Sequence, residues 1–420
     1  MKKRDFLKNV SLAALGAPFY GSALANSAEV VSQTPIHELT TDEDFWLKVR
    51  DDYKLKPDYI NLESGYYNII PTPTLEALHK NIDKVNYEGS YYMRTVQWEN
   101  KARMTEKLGE IIGTTNKNII ITRNATESLD MVIMGMDWKA GDEAVYAIQD
   151  YGAMKLMFEQ VAKRYGVVNK EVSVPNHPKS DEEIVGVYEK AITPNTKLLM
   201  VSHMINITGH ILPIKKICQM AHEKGVQVLV DGAHCIGHFE FDITDLECDY
   251  YGSSLHKWLA VPLGTGLLYV ADEHIDTLWP IFAEADRDPG DIARLNHTGT
   301  IPVYHDLTIE NAIDYYNLLG GKRKEARMRY LQEYWTSKVR NIPGIILNTP
   351  QEPYRACGIA NVGIEGMEPA DLAKKLLDDY RIFTVAVKYA NVNGCRITPN
   401  VFTTTDELDT FVKALKEMAA

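Results

Sequence analysis

Asp231-Gly232-Ala233-His234 and Ser253-Ser254-Leu255-His256-Lys257 are the ends of the stretch that decides how this chain folds. Upstream of the first, Val226-Gln227-Val228-Leu229-Val230 is a short apolar run that reads as a buried parallel strand, with Asp231 where the strand enters its C-terminal loop. Cys248 to Ser253 reads as a second strand delivering Ser254, His256 and Lys257 to the same edge, and Gly264-Thr265-Gly266 turns the chain into a third, Leu267 to Val270. Ligands of open α/β sheets bind at those strand ends. An acid, a hydroxyl, an imidazole and an amine therefore converge.

Pyridoxal phosphate asks for such a set: a lysine amine for a Schiff base with its aldehyde, a carboxylate that keeps its pyridine nitrogen protonated, and hydroxyl and backbone donors for its phosphate. Lys257 and Asp231 suit the first two roles. Taken singly, an aspartate capping a helix and a solvated lysine are the ordinary readings. In this order after a buried strand, they form a set.

The segment closely resembles the hallmark of the class V aminotransferase group of fold-type I pyridoxal phosphate enzymes: Asp-Gly-Ala-X, an acid and aromatic pair, then Ser-X-His-Lys. Within the group the resemblance is nearest to the isopenicillin N epimerase-like branch and runs from about Tyr59 to the C-terminus. It implies an α/β fold, with a mostly parallel seven-stranded sheet in a large domain and a smaller α+β C-terminal domain. It also implies that Lys257 and Asp231 are catalytic. His234 would then lie beside the cofactor's phenolic oxygen, and Ser254 and His256 would be phosphate ligands. A satisfied core histidine is the plainer reading of His234.

Upstream, Asn118 to Thr122 is β-rich, and Arg123-Asn124-Ala125-Thr126-Glu127-Ser128 precedes an apolar-periodic helix, Leu129 to Met136. A strand feeding a helix whose first-turn N–H groups are free makes an anion site. Asn124 or Thr126 also suits an ordinary N-cap. The resemblance assigns Ala125 and Thr126 to phosphate. The strand Ala144 to Ile148 ends at Gln149-Asp150-Tyr151, where the group stacks a ring on the cofactor. Desulfurase relatives usually carry histidine at Tyr151. Lys197 to Ser202, the helix Ile214 to Lys224 and Val226 to Val230 form a right-handed βαβ unit. Asn206, at its first strand end, is either a turn residue or the group's amide near cofactor and substrate. Earlier, Asn61 to Pro71 is a Gly- and Pro-punctuated loop before a helix, Thr74 to Val85. Its Tyr66 and Tyr67 are candidates for lining the pocket or for packing.

Downstream, His297-Thr298-Gly299-Thr300 resembles the loop by which relatives reach the phosphate in the partner subunit, which implies a homodimer with shared sites and a role for Thr300. In Gly394-Cys395-Arg396-Ile397-Thr398, Arg396 resembles the family arginine that grips a substrate carboxylate. A surface arginine is the plain alternative. The loop Val387 to Asn393 holds no cysteine, which counts against a desulfurase.

The ends and the composition complete the reading. Residues 1–25 combine Lys2-Lys3-Arg4, an apolar run from Val10 to Ala17 and Ala23-Leu24-Ala25, which reads as a signal peptide. Lys3-Arg4-Asp5-Phe6-Leu7-Lys8 resembles the twin-arginine motif with Lys in place of the first Arg. The expectation is export to the periplasm or another extracytoplasmic compartment, with no membrane anchor. Residues 26–70 read as an N-terminal arm and loop, 71–305 as the large cofactor domain and 306–420 as the small domain. The 45 basic against 57 acidic residues leave a net charge of −12, which argues against nucleic acid as a partner. Five scattered cysteines indicate neither a metal site nor a disulfide framework. The expected activity is α-proton abstraction from an amino acid or an amino-acid-derived metabolite, leading to transamination or epimerisation. The alternatives are a C–S lyase or cysteine desulfurase, and a non-catalytic binder on the same fold.

Overall fold

The computed structural model describes residues 34–420 except Ala285, together with Leu24. Apart from Leu24, the signal peptide expected at 1–25 lies outside the described residues. Leu24 is buried, and its N–H donates to Asp52 Oδ2 at 3.1 Å.

In chain order the strands are β1 (Ile60–Asn61), β2 (Ile119–Thr122), β3 (Glu143–Ala147), β4 (Val168–Val172), β5 (Thr196–Ser202), β6 (Gln227–Asp231), β7 (Tyr250–Ser254), β8 (Gly266–Val270), β9 (Ile345–Leu347), β10 (Ala360–Ile364), β11 (Ile382–Phe383), β12 (Val385–Tyr389) and β13 (Val392–Ile397). Seven of them form one sheet in the order β2-β8-β7-β6-β5-β3-β4. Only β8 runs against its neighbours there, so the sheet is mostly parallel, as expected.

The apolar runs of β5 and β6 follow from burial on both faces. Leu198 and Met200 enter one core cluster, Leu199 and Val201 the other. Phe158 and Val161 of the helix Gly152–Tyr165 cover the first face, and Ile217 and Ala221 of the helix Ile214–His222 cover the second. Each fully buried aliphatic side chain contributes ~1.5–3 kcal/mol. β4, reading Val-Asn-Lys-Glu-Val, escapes the sequence reading because it is the edge strand and none of its residues is buried. Charged residues on such an edge keep it from pairing with another chain.

The register builds the site. Ser202 pairs with Asp231 and Asp231 with Gly252, while Gly266 lies between Thr122 and Ser254. Two glycines are required here by close approach. A Cβ on Gly232 would sit 2.0 Å from the Tyr251 ring, and one on Gly266 would sit 2.6 Å from the Asn124 backbone.

The small domain carries the antiparallel sheet β12-β13-β10-β9, packed with the helices Gly321–Val339 and Thr405–Ala419. Trp335 meets Phe411 edge-on between those helices, ring centroids 5.2 Å apart. Thr404 and Glu407 close a capping box on the last helix, which starts at Thr405. Two segments cross the boundaries drawn from sequence. β1 pairs in parallel with β11 and ties the N-terminal arm to the small domain. The helix Val303–Leu319 runs through the boundary expected at 305/306, and it packs on the helices Thr72–Glu88 and Gln97–Ile112 of the large domain.

Candidate active site

Lys257 follows β7, with its Nζ 3.1 Å from His234 Nε2. Asp231 ends β6, buried, with Oδ1 accepting from Ala233 N at 3.0 Å. Burial raises the Asp231 carboxyl above its usual range, against the pull of the Ala233 N–H and of Lys257. Burial also brings the Lys257 amine down to about 8, although the Asp231 charge pulls it back up. A neutral nucleophilic amine is thus available near neutral pH.

Around the strand ends lie the phosphate candidates. Asn124 caps the helix Ala125–Gly135 by accepting from Glu127 N at 2.9 Å, so the cap falls to Asn124 and not to Thr126. Ala125 N donates to Ser254 Oγ at 3.0 Å, which joins the helix start to the end of β7. Glu127 is held by Arg123, at 2.6 Å from its N–H and 2.8 Å from its guanidinium, and its charge is paired there. His256 Nδ1 faces Thr265 O at 3.2 Å. A carbonyl only accepts, so Nδ1 carries a proton, and Nε2 needs a second one before it can donate to an anion.

The substrate end departs from the expectation. Arg396 is buried, but Glu63 already holds one edge of its guanidinium, at 3.2 Å from Nε and 2.7 Å from Nη2. Its Nη1 donates to the backbone oxygen of Asn206 at 3.3 Å. The arginine is therefore no surface charge, and what it offers a substrate is its outer edge. Glu63 escapes the sequence reading because nothing in Leu62-Glu63-Ser64-Gly65 links it to a residue 333 positions away. We expect Arg396→Ala to lower stability in urea unfolding by ~3–5 kcal/mol, because an unpaired buried carboxylate is left behind. Adding Glu63→Gln should recover most of that loss; equal losses in the single and double variants would refute the pairing.

The remaining candidates are placed less centrally. Tyr151 precedes the helix Gly152–Tyr165 and is 47% exposed, so its ring is open to a ligand. Tyr66 is exposed, and Tyr67 is partly buried, which raises its phenol. Thr300 is exposed and makes no hydrogen bond to the lysine cluster among the described residues. Asp150, which the sequence reading used only as a landmark, is buried and accepts from Ser202 Oγ and Ala147 N, both at 2.7 Å. Burial, with Asp231 adding to it, lifts its carboxyl to about 7.

All five cysteines are buried and free. Burial raises each thiol, that of Cys357 to about 12 and that of Cys395 to about 11. Cys395 neighbours Arg396 but points the other way, into the small-domain core, as strand alternation requires. The segment before Arg396 is the hairpin β12–β13, whose tip docks on the large domain through Gln149 Nε2 to Asn391 Oδ1 at 2.9 Å and Tyr389 Oη to Asp150 O at 3.2 Å.

This is the fold-type I architecture, and an amine, a buried acid and a helix N-terminus gathered at its strand ends are the set that pyridoxal phosphate requires. Residues 70–388 match the aminotransferase class-V family, and the chain belongs to it. It is 28% identical over 396 residues to the isopenicillin N epimerase of Streptomyces clavuligerus, covering 88% of this chain and 97% of the relative. It is also 28% identical over 349 residues to a probable cysteine desulfurase of Methanothermobacter thermautotrophicus, covering 79% and 84%. In fold it is similar to a mutant of the cystine C–S lyase C-DES with glycine covalently linked to its pyridoxal phosphate cofactor, with a TM-score of 0.77, 21% identity and coverage of 86% and 97%. The residues present fit that cofactor: Asp231 is a buried carboxylate with a single backbone donor to Oδ1, and Lys257 is an amine brought near neutrality.

Proposed function

We propose that this chain removes the α-proton of an amino acid or an amino-acid-derived metabolite, leading to transamination or epimerisation, with transamination preferred. The observation that carries the choice is the thiol inventory. A desulfurase takes sulfur onto a reactive thiolate, and here every thiol is buried and raised.

Bound pyridoxal phosphate supplies an electron sink beside the α-carbon. Lys257 would hold it, and its Nζ would take the α-proton. Asp231 would keep the pyridine nitrogen protonated. His234 would lie beside the phenolic oxygen. Ala125, Thr126, Ser254 and His256 would hold the phosphate, the Ala125 N–H exchanging its bond to Ser254 Oγ for it, with Thr300 contributed across a homodimer interface. Tyr151 would cover one ring face, and Asn206 and Arg396 would orient the substrate, the arginine through the edge that Glu63 leaves open. Export rests on the sequence of residues 1–25 alone. Mature protein beginning near Asn26 in an extracytoplasmic fraction is the expected result, and uncleaved protein confined to the cytoplasm would remove it.

The test of reaction type is incubation with a turned-over amino acid in deuterated water. Deuterium should enter the α-position of recovered substrate, or a keto product should accumulate. Sulfur transfer from cysteine to an enzyme thiol, without either outcome, would establish the desulfurase instead. A C–S lyase needs no enzyme thiol, and release of persulfide or sulfide into solution would identify it.

A further inference from the structure

Trp258, the residue after Lys257, is fully buried, and its indole N–H donates to His234 Nδ1 at 3.2 Å. An indole nitrogen only donates, so His234 Nδ1 is unprotonated. Burial, with the Arg396 charge adding to it, holds this imidazole neutral. A neutral imidazole has one ring proton, and it must sit on Nε2. That nitrogen lies 3.1 Å from Lys257 Nζ. An Nε2–H facing an ammonium would set donor against donor, whereas the free amine offers a lone pair to accept it.

The indole is itself held in place. Its ring stacks on His238, centroids 3.8 Å apart and planes 15° from parallel. His238 Nε2 accepts from Gly358 N at 2.8 Å, which leaves its proton on Nδ1 to donate to His234 O at 2.9 Å. Lys324 Nζ donates to the backbone oxygen of Trp258. The tautomer of His234 is therefore set at Nδ1, the nitrogen that does not face Lys257, by Trp258 and the groups that hold it.

We propose that Trp258 is a positioning residue: by fixing the tautomer of His234 it makes Nε2–H a donor to Lys257 and keeps that lysine the free amine which attaches the cofactor. The proposal rests on the assignment of Lys257 above. The other groups acting on this amine are Asp231, Glu63 and Cys235, which favour its charged form, and Arg396, which opposes it. His256 is a further titratable neighbour of the pair. Without the indole N–H, His234 is free to carry its proton on Nδ1 and to accept from an ammonium at Nε2, which stabilises charged Lys257.

The experiment uses the full chain stripped of cofactor and measures the rate of pyridoxal phosphate attachment to Lys257 against pH, with borohydride trapping to confirm the site. In the parent protein the rate should be half-maximal near pH 8, where burial places the amine. In Trp258→Phe the midpoint should rise by about one unit, making attachment at pH 7 about tenfold slower. Benzothienylalanine placed at position 258, which keeps the indole shape and lacks the N–H, separates chemistry from packing. The same shift in both variants supports the proposal. A shift in Trp258→Phe alone assigns Trp258 a packing role and overturns it, as does no shift in the isosteric variant if Trp258→Phe fails to fold. Failure of the parent to attach cofactor at Lys257 would instead overturn the assignment on which the proposal rests.

Discussion

Lys257→Ala will not retain pyridoxal phosphate through borohydride reduction and denaturation, and its turnover will fall by at least ~10⁴-fold, since the substitution removes both the attachment point and the acid/base group. The parent protein should carry the reduced adduct on the peptide containing Lys257, identified by mass. A second lysine makes this a discriminating test. Lys324 is also buried, and burial brings its amine to about 7, so amine chemistry alone does not separate the two. Geometry does: Lys257 follows β7, which pairs with the strand ending at Asp231, whereas Lys324 is spent on the backbone of Trp258. An adduct on Lys324, or on both lysines in the parent, would refute the assignment.

Asp231→Asn has the second largest expected effect. The amide is isosteric and can keep the bond from Ala233 N, so the variant should fold and bind cofactor. It cannot hold a proton on the pyridine nitrogen by charge, so the electron sink fails, and kcat should drop ~10²–10⁴-fold with little change in cofactor affinity. Steady-state kinetics beside absorbance of the bound cofactor checks both parts. Near-parent turnover would show that Asp231 serves the fold and not the chemistry. Its neighbour Asp150 bears on the reading of the result. Burial raises both carboxyls, and the Asp231 charge adds to the rise at Asp150.

How much of this was legible in the chain depends on how local each cause is. The buried strands could be read because burial on both faces demands unbroken apolar runs, and Asp231 and Lys257 because each stands a fixed step beyond such a run. The edge strand β4 carries polar residues and could not be read in that way. The helix Val303–Leu319 could not be read either, because its buried residues include Asp306, Thr308 and Tyr315, which hides its apolar periodicity.

By itself the sequence determined the layered α/β class, the order of the strands that end at the site, and the acid and amine that meet there. Tertiary structure decided the rest. That Arg396 meets a carboxylate of its own chain follows from β13 and the loop after β1 being brought together by the bridge between Glu63 and Thr398, across a separation no local pattern encodes. That Cys395 faces a core and Arg396 the site follows from register, since one residue reverses the face of a strand. Which nitrogen of His234 bears the proton is set by an indole beside Lys257 in sequence. Only the folded backbone places it behind the ring, and the physical reason is directional: a hydrogen bond exists only where donor and acceptor are aimed at each other, and aim belongs to the fold.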